Sequence, residues 1–368
     1  MGGEAMERAY WGAWLGIPGI GCHRLKRIAQ HFGSLQRAWQ ATAEELQGVE
    51  GIGEQLAATI VQARRQRDPE QMLASLEKPG IPFLTPGDRE YPQLLWEIPD
   101  PPGILYWQGE QLRWEQGVAM VGTRHPSEYG RRWGLKLAKA LAEAGLTVVS
   151  GLAVGIDRVC HEGALQGGGV TLAVLGTGVD RVYPAEHRGL AQQIRQQGAL
   201  VSEYAPGTPP AKENFPRRNR IIAGLCRATV VIEAPAKSGA LITAYLANDY
   251  NRDVYALPGS LDQPGAYGCL GLVERGASLI LGVEDLLAKL GVPGQETQTA
   301  NPPALPSSWS DLERRIWQHL GRDPVAIDTL AEVTGVEIQV LSTTLLMMEL
   351  AGWVQQHPGM RYGRSQPI

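Results

Sequence analysis

A doubly wound α/β domain occupies the centre of this sequence, and three observations predict it. Short runs of Val, Ala, Leu and Ile recur at 118–121, 146–149, 170–175, 199–202, 229–233, 253–257 and 278–281. Stretches with helical apolar periodicity separate them, and nearly every run ends in a loop of small residues. Strands that are apolar throughout, rather than at alternate positions, are buried on both faces, as in a parallel sheet covered by helices.

The flanks follow from length and composition. At 368 residues the chain exceeds one ordinary core and suits two or three domains. Repeated prolines between Pro79 and Pro102 mark a soft boundary, so residues 1–75 are read as a small helical domain and 76–290 as the α/β domain. Residues 291–309, rich in Pro, Gly, Thr and Ser, read as a linker, and 310–368 as a separate C-terminal unit.

Several classes are disfavoured. There is neither an apolar run of about 18 residues for a membrane span nor a basic-apolar-small leader, so a cytoplasmic protein is expected. Cys22, Cys160, Cys226 and Cys269 are scattered without a Cys-x-x-Cys pair, which argues against a zinc site or a disulfide framework. No metal and no cofactor are expected. A net charge of −4 argues against a histone-like polycation but leaves local patches open.

In doubly wound sheets, ligands sit beyond the carboxyl ends of the strands. Here those ends carry Gly122-Thr123-Arg124, Ser150-Gly151, Gly176-Thr177-Gly178, Lys237-Ser238-Gly239 and Pro258-Gly259-Ser260. Glycine lets backbone approach a ligand, and free N–H groups at helix starts favour anions. Any one loop reads equally as a tight βα turn; several together, with Arg124 and Lys237 attached, favour phosphate.

The segment Lys212 to Arg220 belongs to the same rim. Pro216 suits a first helical turn, Ile221, Ile222 and Leu225 supply a buried face, and Arg217, Arg218 and Arg220 stand near the charged end with only Glu213 as an acid between Lys212 and Arg220. This many cations suggest a run of phosphates. Phe215, one of three phenylalanines, adds the aromatic that single-stranded nucleic acid needs for stacking, or else a staple onto the sheet.

Enzymatic signatures are weak. There is no P-loop, the Gly122 loop lacks the Gly-x-Gly-x-x-Gly spacing, and no His-Glu-x-x-His pair occurs. A lysine-decarboxylase-like nucleotide phosphoribohydrolase shares the layout and is the alternative function, but 238–243 lacks the acid such enzymes carry at that helix start. His125 and His161 have no obvious nucleophile nearby, and Asp157 and Glu233 read as structural acceptors. Binding without catalysis is favoured, so the chain is not read as an enzyme.

Four motifs in order carry a resemblance: Val121-Gly122-Thr123-Arg124, Val149-Ser150-Gly151-Leu152-Ala153-Val154-Gly155-Ile156-Asp157, Phe215-Pro216-Arg217-Arg218-Asn219-Arg220-Ile221-Ile222-Ala223-Gly224-Leu225 and Lys237-Ser238-Gly239-Ala240-Leu241-Ile242-Thr243-Ala244. Together they resemble the DNA-processing protein DprA (Smf) family across the whole middle domain. The resemblance implies an extended Rossmann-like domain that binds and protects incoming single-stranded DNA and helps load the recombinase RecA during natural transformation, working as a homodimer. By motif the strand-binding role passes to Arg124, Lys212, Phe215, Arg218, Asn219 and Arg220. Leu270 stands where the family usually has asparagine, which puts any polar contact there in doubt.

The flanking units also offer candidates. Gly16-Ile17-Pro18-Gly19-Ile20-Gly21 and Gly48-Val49-Glu50-Gly51-Ile52-Gly53 resemble tandem helix-hairpin-helix motifs of a SAM-like helical domain, whose backbone amides can hold a phosphate. Arg24, Lys26 and Arg27 follow the first hairpin, whereas Glu50 and Glu54 flank the second, so only the first is expected to touch DNA. The C-terminal unit has a winged-helix pattern. Its third helix, 337–350, holds two glutamates and no Lys or Arg, which favours a protein-contact or regulatory role over base reading. A transcription regulator with an α/β effector domain is a third, weaker reading.

Overall fold

The computed structural model describes residues 3–292, 309–320 and 324–364, which fall into two compact units, 1–293 and 294–368. The first 77 residues form six helices: α1 (Gly3–Leu15), α2 (Cys22–Phe32), α3 (Leu35–Gln40), α4 (Ala43–Gln47), α5 (Glu54–Arg64) and α6 (Pro69–Glu77). Local signals set their starts. Ser34 caps α3, Thr42 and Glu45 form a capping box at α4, and Asp68 with Pro69 opens α6. Trp14, Ile17, Leu25, Ile28, Leu35, Leu46 and Ile60 fill the core of this bundle.

The glycine hairpins precede α2 and α5 as expected. Gly19 (φ 83°) and Gly51 (φ 87°) take the left-handed turn that side chains disfavour. The bundle does not stand apart from the sheet. Ala9 and Leu73 pack with Phe83, Tyr106 and Val179, and Arg8 donates from Nη2 to the Phe83 carbonyl at 2.6 Å.

The sheet domain runs β1 (Phe83–Leu84), α7 (Gln93–Glu97), β2 (Leu105–Gly109), β3 (Gly117–Val121), α8 (Glu128–Glu143), β4 (Thr147–Ser150), α9 (Ile156–Gln166), β5 (Thr171–Val174), α10 (Arg188–Gln197) and β6 (Ala199–Ser202). It continues with α11 (Asn214–Leu225), β7 (Ala228–Val231), α12 (Gly239–Asp249), β8 (Asp253–Ala256), α13 (Tyr267–Glu274), β9 (Ser278–Leu279) and α14 (Val283–Lys289). The sheet has nine strands in the order β1-β2-β6-β5-β4-β3-β7-β8-β9. All neighbours from β6 to β9 in that order are parallel, while β2 adds antiparallel to β6, and β1 antiparallel to β2.

Alternate residues serve opposite faces. In β3, Val118 and Met120 pack with Leu137 of α8 and Ile156 of α9, whereas Ala119 and Val121 pack with Ile221 and Leu225 of α11 and Leu241 of α12. Both faces are covered, which explains the unbroken apolar runs. The chain steps from β3 outward to β6, then returns to the other side of β3 as β7, so the order reverses between β3 and β7.

The C-terminal unit contains α15 (Asp311–His319), β10 (Val325–Ala326), α16 (Ile327–Thr334), α17 (Ile338–Leu350), β11 (Val354–His357) and β12 (Arg361–Arg364), with strand order β10-β12-β11. Three helices and a small antiparallel sheet form a winged-helix domain around Trp309, Ile316, Trp317, Leu330, Leu341 and Leu345. Residues 293–308 of the expected linker lie outside the described residues. Among the described residues no single helix is long and apolar enough to cross a membrane.

Candidate nucleic-acid interface

The reversal of strand order leaves a crevice beyond the carboxyl ends of β3 and β7, the place where doubly wound sheets take ligands. A cleft of about 620 Å³ opens there, walled by Gly122, Thr123 and Arg124 after β3, Lys237, Ser238 and Gly239 after β7, and Lys212, Phe215, Arg218 and Asn219 at the front of α11. Close packing fixes these walls. A Cβ at Gly122 would stand 2.6 Å from Ile156 Cγ1 and 2.9 Å from the Glu233 carbonyl, so only glycine lets the loop lie this near α9 and β7.

The carboxylates beside the cleft are already engaged. Glu233 accepts from Ser127 Oγ at 2.7 Å and from the Ser127 amide at 3.1 Å, which anchors the start of α8. Asp157 accepts from the Gly151 amide at 3.2 Å. The Asn219 amide donates to the Gly239 carbonyl at 3.4 Å, joining α11 to the loop before α12.

Three cations converge at the rim. Arg124, Lys212 and Lys237 line the cleft with exposed side chains, and among the described residues none has an ion-pair or hydrogen-bond partner for its charged group. Phe215 sits between them. Its ring covers Gly176, where a Cβ would come within 2.9 Å of it, and faces Tyr183 with ring centroids 5.5 Å apart. The phenylalanine is therefore both a packing contact and a lining residue of the cleft.

The arginine cluster requires a correction. Arg218 lines the floor of the cleft but is 4% exposed. Its Nη1 donates to the Gly151 carbonyl at 2.7 Å and to the Val174 carbonyl. Burial draws its guanidinium down to about 10, opposed by the charge of Asp157, whose own carboxyl is pushed up by burial. Arg220 is bound on both sides, to Asp100 at 3.0 Å and Glu203 at 2.6 Å. Arg217 is exposed but lies outside the cleft lining.

The spacing contained this signal. Arg218 falls three, four and seven residues before Ile221, Ile222 and Leu225, on the buried stripe of α11. Ser150 and Gly151 are likewise supports rather than lining residues. Ser150 Oγ donates to the Met120 carbonyl at 2.6 Å, and a side chain at Gly151 would collide with the Arg218 guanidinium. Leu270, half-buried on α13, is not part of the cleft.

At the first glycine hairpin the basic groups have partners within the protein. Arg24 donates to the carbonyls of Gly19 at 2.8 Å and Gly51 at 3.1 Å, clamping one hairpin to the other. Arg27 pairs with Glu50 at 3.3 Å, and Lys26 donates to the carbonyls of Trp96 at 2.5 Å and Ile98 at 2.9 Å. All three basic groups are used inside the protein.

Comparison with known proteins agrees with this layout. Residues 82–291 match the family model of DNA recombination-mediator protein A, 298–360 the DprA winged helix domain, and 11–73 a helix-hairpin-helix motif. Protein Smf of Synechocystis sp. is 44% identical, over 97% of this chain and 99% of that protein. Protein Smf of Escherichia coli is 38% identical, over 87% of this chain and 88% of its own length. The X-ray structure of DNA processing protein A from Streptococcus pneumoniae superposes with a TM-score of 0.67 at 35% identity, covering 76% of this chain and 97% of that one. The solved structure of DNA processing protein A from Helicobacter pylori, described for its single-stranded DNA binding mode, gives 0.52 at 31% identity over 56% of this chain and 95% of its own. This chain therefore belongs to the DNA recombination-mediator protein A (DprA/Smf) family.

Proposed function

We propose that this protein binds single-stranded DNA in the cleft over β3 and β7 and serves as a recombination mediator. In this role it protects incoming DNA and helps load RecA during natural transformation, acting as a homodimer. The observation that carries the binding step is that three cations with no partner among the described residues, Arg124, Lys212 and Lys237, line the same cleft as the ring of Phe215. Phosphates pair with such cations and bases stack on such a ring, without a set of base-edge readers. Thr123, Ser238, Gly239 and Asn219 complete the wall, and Arg218 holds the floor in shape.

Binding rather than catalysis is supported by the carboxylates. Glu233 and Asp157, the acids nearest the cleft, are committed to Ser127, to backbone amides and to Arg218. Likeness to the Helicobacter protein, known for its mode of binding single-stranded DNA, supports the choice of ligand.

The test is a titration of full-length protein with single-stranded oligonucleotides across salt, beside a mononucleotide cleavage assay. Arg124→Glu and Lys212→Glu should each weaken binding and reduce the log–log salt slope by about 0.7 for every phosphate left without its cation. Wild-type affinity in an Arg124→Glu/Lys212→Glu double variant, or base release from a mononucleotide, would overturn the reading.

A further inference from the structure

Two further clefts adjoin the first, and they differ in charge and in aromatic content. One shares Arg124 and runs between α8 and α9 past Arg131, Arg132 and Arg158, but Glu128, Glu162 and Glu186 line it too, and Arg158 is held by Glu162 at 2.7 Å. The other, of about 520 Å³, shares Tyr183 and is lined by Arg181, Arg188, Arg195, Thr177 and Gln192. Its one acid, Asp180, has both oxygens on the Gly207 amide, at 2.8 and 3.0 Å.

Tyr183 is the hinge between the second cleft and the first. It lines both, stands 50% exposed, and lies 5.5 Å from Phe215 with the rings inclined by 38°. Its hydroxyl has no hydrogen-bond partner among the described residues, so neither burial nor a polar contact accounts for an aromatic here. Beyond it, among the described residues, Arg181 and Arg188 are exposed and unpaired, and Arg195 keeps a buried Nε without a partner.

We infer that the strand held in the first cleft continues past Tyr183 into this second one. Tyr183 supplies a further stacking face, and Arg181 and Arg188 take the next phosphates. The inference rests on the reading of the first cleft as a single-strand site and extends it in one direction. The path along Arg124 is the poorer continuation, since three carboxylates would repel the backbone there. An aromatic followed by free arginines repeats the pairing of Phe215 with Lys212 and Arg124, and single-strand sites are commonly built by such repetition.

The experiment is a fluorescence titration of full-length protein with oligothymidylates from about 4 to about 20 nucleotides, because single-strand sites of this kind span roughly 4–16 nucleotides. In wild type, affinity should rise with length beyond what the first cleft holds. An Arg181→Glu/Arg188→Glu variant should bind the shortest oligomer within about twofold of wild type, yet lose roughly tenfold on the longest. Its salt slope on long oligomers should fall by about 0.7 for each of the two phosphates. Tyr183→Ala should weaken long oligomers about fivefold or more with the slope unchanged, and Tyr183→Phe should restore them. Because all three side chains are exposed, folding is not at issue. Wild-type affinity for long oligomers in both the double variant and Tyr183→Ala would overturn the extension while leaving the first cleft intact. Wild-type protein that binds no single strand of any length would overturn both.

Discussion

The first glycine hairpin and the cleft over β3 and β7 are alike in sequence, since each sets a glycine turn beside Arg and Lys. The fold treats them oppositely. At the hairpin, Arg24, Lys26 and Arg27 donate to carbonyls of Gly19, Gly51, Trp96 and Ile98 and to Glu50, so the charges tie the protein to itself. At the cleft, Arg124, Lys212 and Lys237 remain without partners among the described residues. A local excess of positive charge therefore does not mark a binding site; what marks it is positive charge that no distant part of the chain satisfies. Within α11 the same division recurs between Arg218 and Arg220, which are engaged by carbonyls or carboxylates, and Arg217, which is exposed and has no hydrogen-bond or ion-pair partner among the described residues.

The largest effect should come from the satisfied cations. Arg218→Ala leaves the Gly151 and Val174 carbonyls without their buried donor and Asp157 without a compensating nearby charge, and each buried polar group left unmet costs about 1–3 kcal/mol. Thermal melting should show that loss, and affinity of the remaining folded protein would be the wrong readout. A variant with wild-type stability would show that Arg218 is a ligand group after all.

The same buried charge sets an acid limit. His161 is fully buried on α9, and burial, then the neighbouring charge of Arg218, lowers its pKa from 6.5 to about 3. The folded state resists protonating it while the unfolded chain takes the proton at about 6.5. Stability is therefore full above that pH and falls by roughly 1.4 kcal/mol per pH unit as pH drops toward about 3. Denaturant titrations of wild type and His161→Leu across this range should show the slope flatten in the variant. Parallel pH profiles would contradict the assignment.

Phe215→Ala sharpens the comparison from the other side. As a stacking ring it should contribute roughly 1–3 kcal/mol to single-strand binding, with no change in salt slope. A ring that only packs on Gly176 and Tyr183 would leave the affinity of the folded protein near wild type and lower its melting temperature instead.

Much of the molecule is legible in the amino-acid sequence, for physical reasons that can be named. The seven parallel strands announce themselves because a sheet covered on both faces demands apolar residues, and the glycine loops because close approach demands them. The strands Phe83–Leu84 and Leu105–Gly109 give no such signal, since they are short, lie in a proline-rich stretch and pair antiparallel at the edge. The fate of the arginines is hidden for a different reason. Asp157, whose charge opposes the effect of burial on Arg218, and Asp100 and Glu203, which pair with Arg220, are 61, 120 and 17 positions away in the chain, and only the fold brings them together. Tyr183 escapes sequence reasoning because an aromatic before a proline in a loop gives no periodic signal.

The smallest expected effect on DNA is the one that tests the comparison most directly. Arg24→Ala removes two hydrogen bonds that clamp the hairpins, both at an exposed site, so each is worth only about 0.5–1.5 kcal/mol of stability. If its charge is spent inside the protein, single-strand affinity and salt slope should match wild type while the melting temperature falls by a few degrees. Arg124→Ala should do the reverse, since its side chain has no partner to lose among the described residues and a phosphate to release. Measured side by side on full-length protein, the two variants should move on perpendicular axes, one in stability and one in affinity. A drop in salt slope of about 0.7 in Arg24→Ala would return the hairpin to the DNA path and break the distinction between the two regions.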